Sequence, residues 1–264
     1  MTRASASARR AGALSTLILI LGMGLSSPIS YAAPGASEPQ EAISSTMPNS
    51  DTLSARQQAI PLIAAAMAAS DMPRLRNALN QALDAGLTIS EAKEILVQLY
   101  AYVGFPRSLN ALGELMNVVQ ARKDRGVQDA PGREPSRVIA TGDALRAAGT
   151  ANQTRISGAP VKGPVFDFAP VINQYLQTHL FGDIFERDNL DWQSRELATV
   201  GALAATPGAE PQLRSHMAAS MRVGLTAAQL RQVAHLLKDS ADADAGKRAE
   251  DALEQVTAAV TRTK

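Results

Sequence analysis

The 264 residues contain no cysteine. That absence removes disulfides, thiol nucleophiles, a lipoprotein cysteine and thiolate metal sites together. Histidine is almost as scarce, with His179, His216 and His235 making up all three. None sits four residues from another, the helical spacing that puts two imidazoles on one ion, so a metal centre is not expected. Aromatic residues are 4% of the chain, and the formal charge is only +1. Setting aside Arg3, Arg9 and Arg10, 26 − 3 basic residues face 25 acidic ones, leaving about −2. A nucleic-acid surface is basic and clustered, so nucleic acid is excluded as a partner. The apolar run Ala11 to Leu25 is too short to span a bilayer comfortably.

That run belongs to a different kind of segment. Arg3, Arg9 and Arg10 precede it, and Ser30 and Ala32 place small residues two apart after it. A positive start, a short apolar centre and small residues read as a secretory signal over 1–32, cleaved near Ala32. Export to a periplasm or beyond follows, with no membrane association after cleavage. An uncleaved anchor is the other reading. Arg9-Arg10 alone does not make a twin-arginine signal, so the general secretion route is expected. Residues 33–51, rich in Pro, Ser, Gln and Ala without apolar periodicity, form a flexible lead-in.

From residue 52 onward the pattern is helical. Apolar residues recur three and four apart over 53–69, 73–85, 90–103 and 106–122. Residues 123–163 carry scattered glycine and proline and read as an extended connection, with a short helix over about 136–148. Helical spacing returns at 168–187. Between Asp191 and Leu237 the chain spells three short helices, broken at Pro207-Gly208 and Gly224 and capped again by Thr226 and Gln229. A polar stretch follows, then a last helix through Val260. The expected class is all-α.

A shift of 138 residues superimposes Pro73 on Pro211, Leu75 on Leu213, Arg76 on Arg214, and Gly86-Leu87-Thr88 on Gly224-Leu225-Thr226. Six identities fall between residues 72 and 88, concentrated at helix ends. They read as two copies of one helical unit, 52–122 and 164–264. Recurrent cap chemistry alone is the alternative. The copies differ chemically: His216 falls on Ala78, and Glu196 falls on Gln57 or Gln58 depending on a one-residue gap. The first copy therefore reads as structural.

Three runs, AYVGFPRSLNAL (101–112), HLFGDIFERDNLDWQSRELATV (179–200) and QLRSHM through GLTAAQL (212–230), resemble the carboxymuconolactone decarboxylase family and its alkylhydroperoxidase D-like relatives. The resemblance implies compact helical units that assemble into homo-oligomers, here in tandem. It brings a family label of peroxiredoxin activity, yet the positions of the two peroxidatic cysteines hold Ala209 and Gln212. Thiol-dependent peroxide reduction is therefore not expected. The decarboxylase branch needs neither cysteine nor cofactor, and Glu196 and His216 match positions where it carries Glu and His. The resemblance then implies acid–base chemistry on a small carboxylated lactone or keto acid, with the histidine as proton donor and the carboxylate fixing its tautomer. Arg214 and Arg195 are candidates for binding substrate carboxylates. Export argues against the family's namesake lactone, whose catabolism is intracellular.

Each candidate also has a plainer reading. His216 among Leu213, Met217 and Met221 fits a partly buried histidine without catalytic duty, and Glu196 fits a helix-start acid. Arg214, repeated by Arg76 in the copy without histidine, fits an interface residue. His179 and His235 read as ordinary. A non-catalytic helical scaffold or small-molecule binder is the alternative function. A pocket separates the two: catalysis requires His216 and Glu196 to converge on one.

Overall fold

Cap chemistry sets where the helices begin. The computed structural model describes residues 51–240 and 242–262; the expected signal segment and nearly all of the lead-in lie outside them. Ser54 caps α1 (Ala55–Ala68) through a capping box with Gln57. Asp71 caps α2 (Met72–Asp84), and Thr88 with Glu91 boxes the start of α3 (Ile89–Gln98). A short α4 (Tyr100–Val103) and a long α5 (Phe105–Asp124) follow. The connection holds α6 (Gly142–Ser157), α7 (Pro164–Phe168) and α8 (Pro170–Tyr175). The chain then winds more widely as a π-helix over Leu176–Ile184. Asp191 opens α9 (Trp192–Ala204), and α10 (Glu210–Arg222), α11 (Ala227–Ser240) and α12 (Ala243–Arg262) complete the chain. The described residues are all-α. No helix among them is long and apolar enough to cross a membrane.

Two expectations need correcting. The helix expected over about 136–148 is longer and lies later, as α6 runs for 16 residues over Gly142–Ser157, while 125–141 and 158–163 carry no helix. The inward face of α6, Gly149, Gln153 and Ile156, is a glycine, a glutamine and one aliphatic residue, a face that hydropathy does not flag. The polar stretch after Leu237 is also mostly helical, interrupted only between α11 and α12. Asp242 donates its backbone N–H to the Leu237 carbonyl there.

The centre of the molecule is the crossing of α1 with α9. A Cβ added to Gly201 would lie 2.4 Å from the Pro61 carbonyl oxygen, so only glycine permits this approach. Packing continues in the same order on both sides: α1 on α2, α2 and α3 on α5; α9 on α10, α10 and α11 on α12. The turns agree too. Gly86 and Gly224 adopt φ of 87° and 102°, conformations that L side chains rarely take, and each precedes a buried leucine and a capping threonine. Counted from the N-caps Ser54 and Asp191, the helix position of Glu196 is matched by Ala59 rather than Gln57 or Gln58. One large apolar cluster fills this helical core. A smaller one, Ile156, Leu180, Phe181, Ile184, Phe185 and Ala219, sits under α6 and the π-helix.

The close crossing gives a direct test. Gly201→Ala is expected to lower stability by about 1–3 kcal/mol through overpacking. Gly113→Ala, in α5 with open space around its Cβ position, is expected to raise it by about 0.4–1 kcal/mol. Urea unfolding of both variants checks the contrast.

Candidate functional site

Helices α9 and α10 bring the sequence-predicted pair together. Their antiparallel register is pinned where the Gln193 side chain donates to the Val223 carbonyl at 3.1 Å. Further along, His216 Nδ1 lies 2.8 Å from Glu196 Oε2. The glutamate side chain is wholly buried while the imidazole is 17% exposed. A buried carboxylate needs a partner to remain ionised, and the imidazole supplies a donor when the proton is on Nδ1. That tautomer turns the Nε2 lone pair away from the glutamate.

His216 forms part of the wall of a recess of about 340 Å³. Ser215, Ala219 and Arg222 of α10 line it, with Ile156 of α6 and Phe181 of the π-helix opposite. The apolar wall excludes water from one side of the ring, and Arg222 puts a cation at the margin, where Nη1 also donates to the Ile156 carbonyl at 3.4 Å. The wide winding of the π-helix brings Phe181 to this wall, and such helices recur at functional sites. The helix is held by a second close crossing: a Cβ on Gly149 would meet the Gln177 carbonyl oxygen at 1.7 Å.

Tyr102 of α4 completes the surroundings. Its ring meets the His216 ring edge-on, with centroids 5.4 Å apart and planes at 79°. Burial, reinforced by the negative charge of Glu196, pushes the phenol pKa up, with Thr199 and Arg195 pulling more weakly the other way. Tyr102 therefore stays a neutral hydrogen-bond donor.

The two predicted arginines lie elsewhere. Arg195 is fully buried; its guanidinium donates to Glu94 Oε1 at 2.9 Å, to Gln98 Oε1 at 2.9 Å and to the Arg187 carbonyl at 2.7 Å. Burial lowers its pKa and Glu94 opposes the shift. The side chain ties α9 to α3 and has no access to the recess. Arg214 is exposed and donates to Gln255 of α12 at 2.8 Å. Arg76 reaches Glu114 of α5 in the same way, so both arginines clip one helix to the next. His179 pairs with Asp183 at the surface, 2.7 Å apart, and His235 is exposed on α11. Among the described residues, no three His, Cys, Asp or Glu are grouped to hold a metal.

Arg222 and Tyr102 escaped the sequence reading. Arg222 follows Ser215 and Ala218 at helical spacing, but which face of α10 borders the recess depends on α6. Tyr102 lies far away in sequence and carries no titratable signature at neutral pH.

These placements predict unequal costs. Arg195→Met is expected to destabilise the fold by about 3 kcal/mol or more, since it strips a partner from the buried Glu94 carboxylate. Arg214→Ala is expected to change stability by no more than about 0.5 kcal/mol. Denaturant midpoints decide between a structural strut and a dispensable surface cation.

Residues 170–258, from α8 through most of α12, match the model of the Carboxymuconolactone decarboxylase family. That span contains both Glu196 and His216. No curated protein matches the chain. The likeness to the carboxymuconolactone decarboxylase family thus lies in residues 170–258.

Proposed function

We propose that this protein is an exported, cofactor-independent acid–base enzyme acting on a small carboxylated lactone or keto acid. The observation that carries the reading is the His216–Glu196 pair at 2.8 Å with its imidazole in the wall of a recess. A scaffold has no need to bury a carboxylate against an imidazole and leave that ring bordering a cavity. The recess has room for a small organic acid, and Arg222 is the cation available to its carboxylate. With Nδ1–H directed at Glu196, Nε2 is the atom that takes a proton from bound substrate and returns it to a different carbon. For a decarboxylation, Nε2 first takes up a proton from solvent, and the imidazolium, held against Glu196, delivers that proton to the carbanionic centre left by carbon dioxide. Arg222 and the apolar wall stabilise the enolate charge by attraction and by exclusion of water.

The reading extends to the whole chain. The matching cap chemistry and packing order on either side of α1 and α9 support two copies of one unit, with the catalytic pair kept in the second. Ala78 occupies the position of His216, and either register leaves the position of Glu196 without a carboxylate. The basic and apolar character of residues 1–32 supports cleavage near Ala32 and export. Thiol peroxidase chemistry has no support, because the chain contains no cysteine.

The test is a ¹⁵N and ¹H titration of the His216 ring against a panel of small carboxylated lactones and keto acids. One ligand is expected to move the ring signals, Glu196→Gln to abolish the response, and Arg222→Ala to weaken binding about tenfold or more, as loss of a charge-assisted pair does. A ring indifferent to every compound favours the scaffold.

A further inference from the structure

Arg222 ends α10, and its side chain is exposed at the margin of the recess. An exposed arginine samples many rotamers, and freezing one on binding a ligand weakens the complex. Its value to the site therefore depends on what already confines it. The C-terminal end of α6 does so. Gly158 stops that helix at φ of 80°, donating its N–H to the Thr154 carbonyl at 2.9 Å. The Arg222 guanidinium lies against this glycine: a Cβ built there would stand 2.6 Å from Nε and 3.1 Å from Cζ. Nη1 donates from the same place to the Ile156 carbonyl at 3.4 Å. Carbonyls in the last turn of a helix lack intrahelical partners and carry the negative end of its dipole, so a cation is favoured there.

A helix stop alone accounts for a glycine but not for this contact. Gly126 makes the comparison. It follows α5 at φ of 81°, donating its N–H to the Lys123 carbonyl at 2.9 Å. Yet a Cβ on Gly126 would meet nothing within 4 Å. Both glycines meet the same backbone demand, and of the two only Gly158 has a guanidinium laid on it. A guanidinium carries several N–H donors in one plane, so the Ile156 carbonyl leaves others for a ligand.

We infer that Gly158 is a positioning residue for Arg222: its bare Cα seats the guanidinium on the end of α6 and presents it, already confined, to a ligand carboxylate in the His216 recess. Ile156 in the last turn of α6, and Val161 just beyond it, line that recess together with His216. The segment that seats the cation thus also walls the space for the apolar part of a ligand. A methyl group at position 158 cannot share the seat with the guanidinium. The guanidinium, as the end of a flexible side chain, is what gives way. Both α6 and Gly158 precede the family-matched residues 170–258, so carboxylate binding at this site is set from outside that span.

That the ligand is a carboxylate rests on the acid–base reading, but the seating of Arg222 is testable without one. NMR of the arginine Nε–H groups in the ligand-free full chain, at mildly acidic pH, reports it. Wild-type Arg222 is expected to give a resolved signal with the ¹⁵N relaxation of a fixed side chain. Gly158→Ala is expected to shift that signal and give it the relaxation of a mobile one. Gly126→Ala, which carries the same backbone strain, is expected to leave it unmoved. The buried Arg195 is expected to keep its signal in each variant, which separates a local displacement from general loosening. With levulinate, a small γ-keto acid, as the probe followed at the His216 ring, Gly158→Ala is expected to weaken binding about three- to tenfold. It is expected to add nothing once Arg222→Ala is in place. A mobile Arg222 in the wild type, or one equally fixed in Gly158→Ala, overturns the positioning role. A fixed Arg222 beside a His216 ring indifferent to levulinate and every other acid overturns the acid–base reading alone. If Gly158→Ala fails to fold, Gly158→Asn brings the same Cβ in a residue that tolerates this φ, and an unmoved Arg222 in it is equally fatal.

Discussion

The attachment of α9 to α3 by Arg195 is the constraint on which the site depends. A guanidinium with no solvent exposure needs partners, and Glu94, Gln98 and the Arg187 carbonyl provide them to its two terminal nitrogens. These bonds fix α9 along its axis and in rotation about it. Glu196 follows directly in sequence, and a helix turns about 100° per residue. Holding Arg195 against α3 therefore aims Glu196 towards α10. The glycine crossing at Gly201 sets how deeply α9 sits, and the Gln193 contact with Val223 sets the register of α10. Three constraints of different kinds bring one carboxylate within reach of one imidazole.

The helical frame was legible because caps are local. Ser54, Thr88, Asp191 and Thr226 each announce a helix start within four residues of sequence, and glycine at positive φ announces the ends. The His216–Glu196 pair was legible through the family resemblance of the runs that carry it. What was hidden was non-local. Arg195 and Arg214 have the same side chain, yet one meets buried Glu94 and the other exposed Gln255; nothing near either arginine states which helix will face it. The helix α6 was obscured because its buried face relies on Gly149 and Gln153, which gain their place through a close backbone crossing and a hydrogen bond to Asn173. Tyr102 was overlooked because its contribution is a neutral hydroxyl, and its partners are residues about a hundred positions away.

The packing on the two sides of the α1–α9 crossing runs in the same order, but the polar chemistry does not. Arg76 and Arg214 serve parallel roles as clips from α2 to α5 and from α10 to α12. Ala78 packs in the core where His216 borders a recess. An alanine at that place leaves no buried polar group in need of a carboxylate partner. Helices α1 to α5 supply packing and support, while α9 and α10 carry the His216–Glu196 pair.

The satellite apolar cluster beneath α6 and the π-helix has a mechanical consequence. Phe181 and Ile156 wall the recess, yet they are packed in a cluster separate from the large one that holds α1, α2, α9 and α11. Parting that wall from α10 exposes the small cluster and leaves the large one intact, so the excursion costs less than global unfolding. Entry to the site and integrity of the fold are thus governed by different sets of side chains, and the width of the entrance is free to vary without loosening the frame that holds Glu196.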